Sequence, residues 1–192
     1  MGSNIYISKT IKKYNDFVNE MKISPSRVDF NTTYIKSPFY DNKDDIIAKF
    51  TLNKHDYIIL LSYFIDDNIE SYNILFTTQK QYDTYTQKLY QIIKSKQPGD
   101  ILTDDEHKEL VNIIEKETEY NELFPLLKNI SYILIYLYNN MRLIYGDIIF
   151  SIGDTTNPVK VKLYRNIIKD SFPNFVETKT IDSQGNDIYY YQ

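Results

Sequence analysis

The 192-residue chain has no cysteine, no tryptophan, five glycines and two histidines. Without cysteine there can be no disulfide, no thiolate nucleophile and no thiolate metal site. So few glycines leave little for phosphate-cradling loops. The Gly-Lys phosphate loop, the Gly-Ser-Gly nucleophile elbow, the His-Glu zinc motif and the EF-hand pattern are all absent from the sequence. His55 and His107 lie far apart in the chain, outside any metal-ligand spacing, and read as solvated surface residues. No basic start followed by an apolar segment opens the sequence, and Tyr6 stands where a myristoylation signal needs Ser or Thr. An intracellular, cytoplasmic location is the expectation. Lys128 and Arg142 interrupt the most apolar stretch, so it is too short between charges to span a bilayer and reads as a core helix.

What is present is ordinary globular material, 42% hydrophobic and 25% charged, enough for one domain with a substantial core. Nineteen Tyr and ten Phe, with abundant Ile, Asn and Lys, are the codon bias of an AT-rich genome such as that of a low-GC microbe or a large DNA virus. A net charge of −4 gives no long-range attraction to nucleic acid or anionic membrane, so such binding would need a local basic face. The acidic groups Asp44-Asp45, Asp66-Asp67 and Asp104-Asp105-Glu106 fall in turns or at a helix start, where carboxylates bond to free backbone N–H groups, and no metal site is expected of them.

Apolar residues at Ile7, Ile11, Tyr14, Val18 and Met21 predict an amphipathic helix over residues 8–22. A short strand over 28–34 follows, then a loop to Asp45. Three strands are predicted over 46–52, 57–65 and 72–77, joined by tight polar turns into an antiparallel meander. The unbroken run Ile58-Ile59-Leu60-Leu61 marks the middle strand as covered on both faces. Tyr82, Tyr85, Leu89, Ile92 and Ile93 mark a helix ending before Pro98-Gly99. Thr103 and Glu106 form a capping box that starts another. Pro125 suits the first turn of a third helix running to Met141, apolar or tyrosyl around most of its girth.

The last third carries a more particular pattern. A strand over Asp147–Ile152 leads through a turn to Asn157-Pro158, then a helix with Leu163-Tyr164, then strands around Phe175–Ile181 and Asp187–Tyr191. This order resembles the closing half of the GNAT N-acetyltransferase superfamily. The resemblance implies an α+β fold with a mixed, largely antiparallel sheet, residues 79–119 forming a helical insertion. It also implies that the late strand splays from the early meander and leaves a V-shaped opening for a thioester. Acetyl-CoA or another acyl-CoA would be the cofactor, with Asn157 contacting it and Tyr164 acting as general acid for the leaving thiolate. The acceptor would be a small-molecule or protein amine. The family's glycine-rich cofactor loop is missing, its place reading Tyr120-Asn121-Glu122-Leu123-Phe124-Pro125.

Three readings follow from the residues. The first is a CoA-dependent N-acyltransferase using Tyr164. The second is a noncatalytic descendant of that fold, kept as a protein-binding or structural module. The third is nucleic-acid binding through the basic helix 158–170, where Lys160, Lys162, Arg165 and Lys169 crowd ahead of a hairpin. For Tyr164 the plain alternative is a buried core aromatic, and for Asn157 a helix cap.

Overall fold

The computed structural model describes residues 29–37, 40, 43–66, 68–97, 102–115, 123–153, 158–181, 185 and 187–192. The predicted helix 8–22 and Asn157 lie outside them. The described strands are β1 (Phe30–Lys36), β2 (Asp44–Leu52), β3 (His55–Asp66), β4 (Ile69–Thr78), β5 (Phe150–Ile152), β6 (Glu177–Ile181) and β7 (Asp187–Tyr191). The described helices are α1 (Gln79–Ser95), α2 (Asp104–Glu115), α3 (Leu123–Tyr145) and α4 (Pro158–Ser171). The seven strands form one sheet in the order β1-β2-β3-β4-β5-β7-β6, with β4 and β5 parallel and every other pair antiparallel. The fold is therefore α+β, as the sequence pattern predicts. Among the described residues, no helix is long and apolar enough to cross a membrane.

The meander forms because its turns permit it. Asn53 and Lys54 both hold positive φ, 47° and 70°, so β2 and β3 meet across a two-residue turn of the twist that suits a hairpin. Alternation then sorts β3: Tyr57, Ile59, Leu61 and Tyr63 join the main core, while Ile58 and Leu60 join a second cluster with Ile47 and Tyr82. Helices thus cover both faces, α3 and α4 on the first and α1 on the second. Burying each such Ile or Leu side chain contributes about 1.5–3 kcal/mol. Leu89, Ile92 and Leu110 form a smaller cluster that holds α2 against α1.

Two helix starts follow their sequence signals. Thr78 caps α1 through a box with Gln81. At α2, the Glu106 carboxylate accepts the Thr103 N–H at 2.7 Å and the Thr103 hydroxyl accepts the Glu106 N–H at 3.3 Å.

The structure differs from the sequence reading at the end of the long helix and at the start of the strand that follows it. α3 runs past Met141 to Tyr145, where Gly146 at φ 82° donates its N–H to the Arg142 carbonyl at 3.1 Å and ends the helix in the left-handed cap glycine favours. The strand expected from Asp147 begins only at Phe150, since just Tyr72 and Asn73 of β4 pair with it in register. Ile149 still contributes its carbonyl, which accepts the Tyr72 N–H at 2.8 Å.

Candidate functional site

The site of interest lies where β5 leaves β4. In an antiparallel ladder the residues that exchange hydrogen bonds with one neighbour alternate with those that face the other. Starting from the Leu52–His55 turn pair, this parity directs the even-numbered residues of β4 toward β5. Tyr72 meets Ile149 accordingly. Two residues later the pairing stops, and the Gly153 N–H turns aside toward the Asn73 side-chain oxygen at 3.5 Å. Past that point no described strand pairs with β4 at Phe76 and Thr78, where buried backbone groups need other partners.

Side chains satisfy both. The Thr78 N–H donates to Gln81 Oε1 at 3.3 Å. At Phe76 a single hydroxyl does the work of a strand: the Phe76 N–H donates to Tyr164 Oη at 3.1 Å, and that hydroxyl donates to the Phe76 carbonyl at 3.2 Å. Tyr164 is only 7% exposed and shares the inward face of α4 with Ile167 and Ile168. Around it, Leu126, Leu127 and Ile130 of α3 close in, leaving a space of about 20 Å³, room for one water molecule. Beyond the two paired residues of β5, the Tyr164 side chain reaches the Phe76 backbone of β4.

Aromatic packing sets that placement. Phe172, just beyond α4, stacks on Phe175 with ring centres 4.7 Å apart, and both lie within 6.4 Å of Phe150 on β5. Tyr138 of α3 approaches the same three rings. The C-terminal end of α4 is thereby clamped between α3 and β5, and Tyr164, two turns earlier, is aimed at β4.

The basic constellation on α4 is divided by the structure. Arg165 grips Glu177 of β6 with two nitrogens, at 3.1 and 2.7 Å, and Lys169 reaches the same carboxylate at 3.1 Å. The Tyr191 hydroxyl donates to it at 2.5 Å. The Arg165 guanidinium lies 4.0 Å from the centre of the Tyr189 ring. The bonds from Arg165, then those from Tyr191 and Lys169, overcome burial and hold the Glu177 carboxyl down to about 2. Lys162 is exposed and Lys160 lines the space beside Tyr164. Two of the four cations thus serve a carboxylate of the same chain.

Asp44, Asp45 and Asp66 are likewise committed to the fold. Asp44 accepts from Lys36 at 2.8 Å and from the Tyr145 hydroxyl at 3.4 Å. Asp66 accepts from the Tyr190 hydroxyl at 2.9 Å. Asp45 is 5% exposed and accepts from the Tyr63 N–H at 2.9 Å and the Ser62 hydroxyl at 3.2 Å, yet burial still pushes its carboxyl up. His55 is exposed, and the His107 side chain lies outside the described residues. Among the described residues no three His, Cys, Asp or Glu side chains group as a metal site.

Sequence reasoning missed Glu177, a lone carboxylate in a polar strand whose role depends on Arg165 twelve positions earlier. It also missed the contrast between two buried tyrosines. Tyr164 has its hydroxyl bonded to β4, whereas the buried Tyr72 hydroxyl has no hydrogen-bond partner among the described residues. Comparison with protein-family models, curated proteins and solved structures finds no significant match to this chain.

Proposed function

We propose that this chain is a GNAT-like fold protein that works as a noncatalytic binding or structural module, its thioester cleft closed by its own Tyr164. The observation that carries this reading is the double hydrogen bond between the Tyr164 hydroxyl and the Phe76 backbone. A thioester lying between splayed strands would need the outward edge of β4, and here one buried side chain takes both backbone groups that Phe76 offers. The missing glycine loop before α3 argues the same way, because a phosphate-bearing cofactor needs bare N–H groups at a helix start. Glu122 and Pro125 supply a negative charge and a lost N–H there instead. In the acyltransferase reading, Tyr164 would have to leave Phe76 before it could protonate a thiolate.

Calorimetry with acetyl-CoA separates the two. The expected result is no saturable heat at millimolar acetyl-CoA and no release of free thiol with amine acceptors. Saturable binding that survives Tyr164→Phe, together with turnover that the substitution abolishes, would instead establish the acyltransferase with Tyr164 as its acid.

A further inference from the structure

Two tiers of packing lie on the face of the sheet away from α3. In the first, α1 rests on the meander: Tyr82 joins Ile47, Ile58 and Leu60, and the Thr78 box fixes where the helix begins. Leu89 and Ile92, further along α1, belong to neither cluster on the sheet. They pack instead with Leu110 of α2, and Tyr85 and Leu102 are partly buried beside them. Among the described side chains of α2, Leu110 is the one that is buried. Charge frames this second tier. Lys88 of α1 reaches Glu109 at 2.7 Å, and Lys96, at the C-terminal cap of α1, reaches Glu106 at 2.7 Å. Helical spacing makes the match, since residues 88, 89, 92 and 96 share one side of α1 while 106, 109, 110 and 113 share one side of α2. Glu106 also accepts the Thr103 N–H, so the carboxylate that starts α2 ties it to the end of α1.

We propose that α2 is a strap that lifts from α1 as a unit while the sheet stays folded, and that ionic strength sets how often it lifts. The cluster of Leu89, Ile92 and Leu110 gives this 12-residue helix little apolar burial, which places its opening well below the free energy of global unfolding. The two ion pairs then carry a large share of what keeps it down. Lys88 and Glu109 are 32% and 53% exposed in their side chains, so dissolved salt reaches and screens them. Lifting bares Leu89 and Ile92 between two cations and leaves Tyr82 seated on the sheet. This inference is independent of whether the Tyr164 cleft binds a thioester.

Amide hydrogen exchange of the full chain tests it. Raising NaCl from about 20 mM to about 0.5 M should speed exchange in residues 104–115 about threefold, with β3 unchanged, because screened pairs hold the strap less. Lys88→Glu should speed the same residues at low salt and reverse their response, since salt then relieves a repulsion with Glu109. Combining Lys88→Glu with Glu109→Lys should restore both the protection and the original salt response. Exchange in α2 that ignores salt overturns the proposal, as does acceleration of β3 in step with α2. A double variant no better protected than Lys88→Glu overturns it as well, because the pair would then not be what holds the strap.

Discussion

Two buried tyrosines separate what a hydroxyl contributes from what a ring contributes. Both Tyr164 and Tyr72 pack in the main core. Removing the Tyr164 hydroxyl takes one hydrogen bond from the Phe76 N–H and one from its carbonyl, and losing a bond to a buried group costs about 1–3 kcal/mol. Tyr164→Phe should therefore destabilise the protein by roughly 2 kcal/mol or more. The Tyr72 hydroxyl is buried without a partner, so Tyr72→Phe should be neutral or stabilising by up to about 1 kcal/mol. Urea unfolding with an unchanged m-value reads both. A loss for Tyr72→Phe as large as that for Tyr164→Phe would disprove this assignment of the two hydroxyls. The sequence shows two tyrosines of equal standing among nineteen. Which hydroxyl meets a partner depends on residues 88 positions away, and local pattern carries no trace of that.

At the scale of elements, α4 and the terminal hairpin are joined through one carboxylate. Glu177 collects Arg165, Lys169 and Tyr191, so it fixes how the helix lies against β6 and β7. Its carboxyl is lowered from 4.5 to about 2. A lowered folded-state value means that the stabilisation is complete above the unfolded value and drains away as pH falls from about 4.5 to about 2. Glu177→Gln should cost about 1–3 kcal/mol at neutral pH, since charge-assisted bonds to a part-buried group are lost. It should also flatten the acid limb of the stability curve over that interval. Thermal unfolding of both proteins between pH 2 and pH 6 measures it, and parallel curves would sink the proposal. The elements themselves were largely readable: apolar segments between polar turns, alternating in β2 and unbroken in β3, located the meander, and the capping box at Thr103 located α2. The start of β5 was not readable, because Asp147-Ile148-Ile149 has strand chemistry, yet the ladder with β4 begins only at Phe150, preceded by the single bond from the Tyr72 N–H to the Ile149 carbonyl.

For the molecule as a whole, the cores on the two faces of the sheet are unequal. The α3 face joins β2 through β5, β7, α3 and α4 in one cluster, whereas α2 is held by the smaller cluster of Leu89, Ile92 and Leu110 and by the ion pairs Lys88–Glu109 and Lys96–Glu106. Leu137 is fully buried in the larger cluster, so Leu137→Ala should cost about 2–5 kcal/mol and lower the midpoint of the single global transition. Leu110→Ala should loosen α2 locally, raising hydrogen exchange in residues 104–115 while the exchange of β3 stays at the global limit. Equal acceleration in α2 and β3 would show that the two clusters unfold as one.

The amino-acid sequence by itself determined the kinds of element and the two-sided burial of the meander. Both follow from spacing within a few residues, the period of two in a strand and of 3.6 in a helix. It also set the chemistry on offer, excluding thiol chemistry and making glycine loops scarce. Only the tertiary structure decided that β5 parts from β4 after two residues, that Tyr164 takes the edge left behind, and that Arg165 and Lys169 answer to Glu177. Those contacts join segments distant in the chain, and their energy depends on which backbone groups packing leaves without a partner, a quantity that exists only once the sheet has formed.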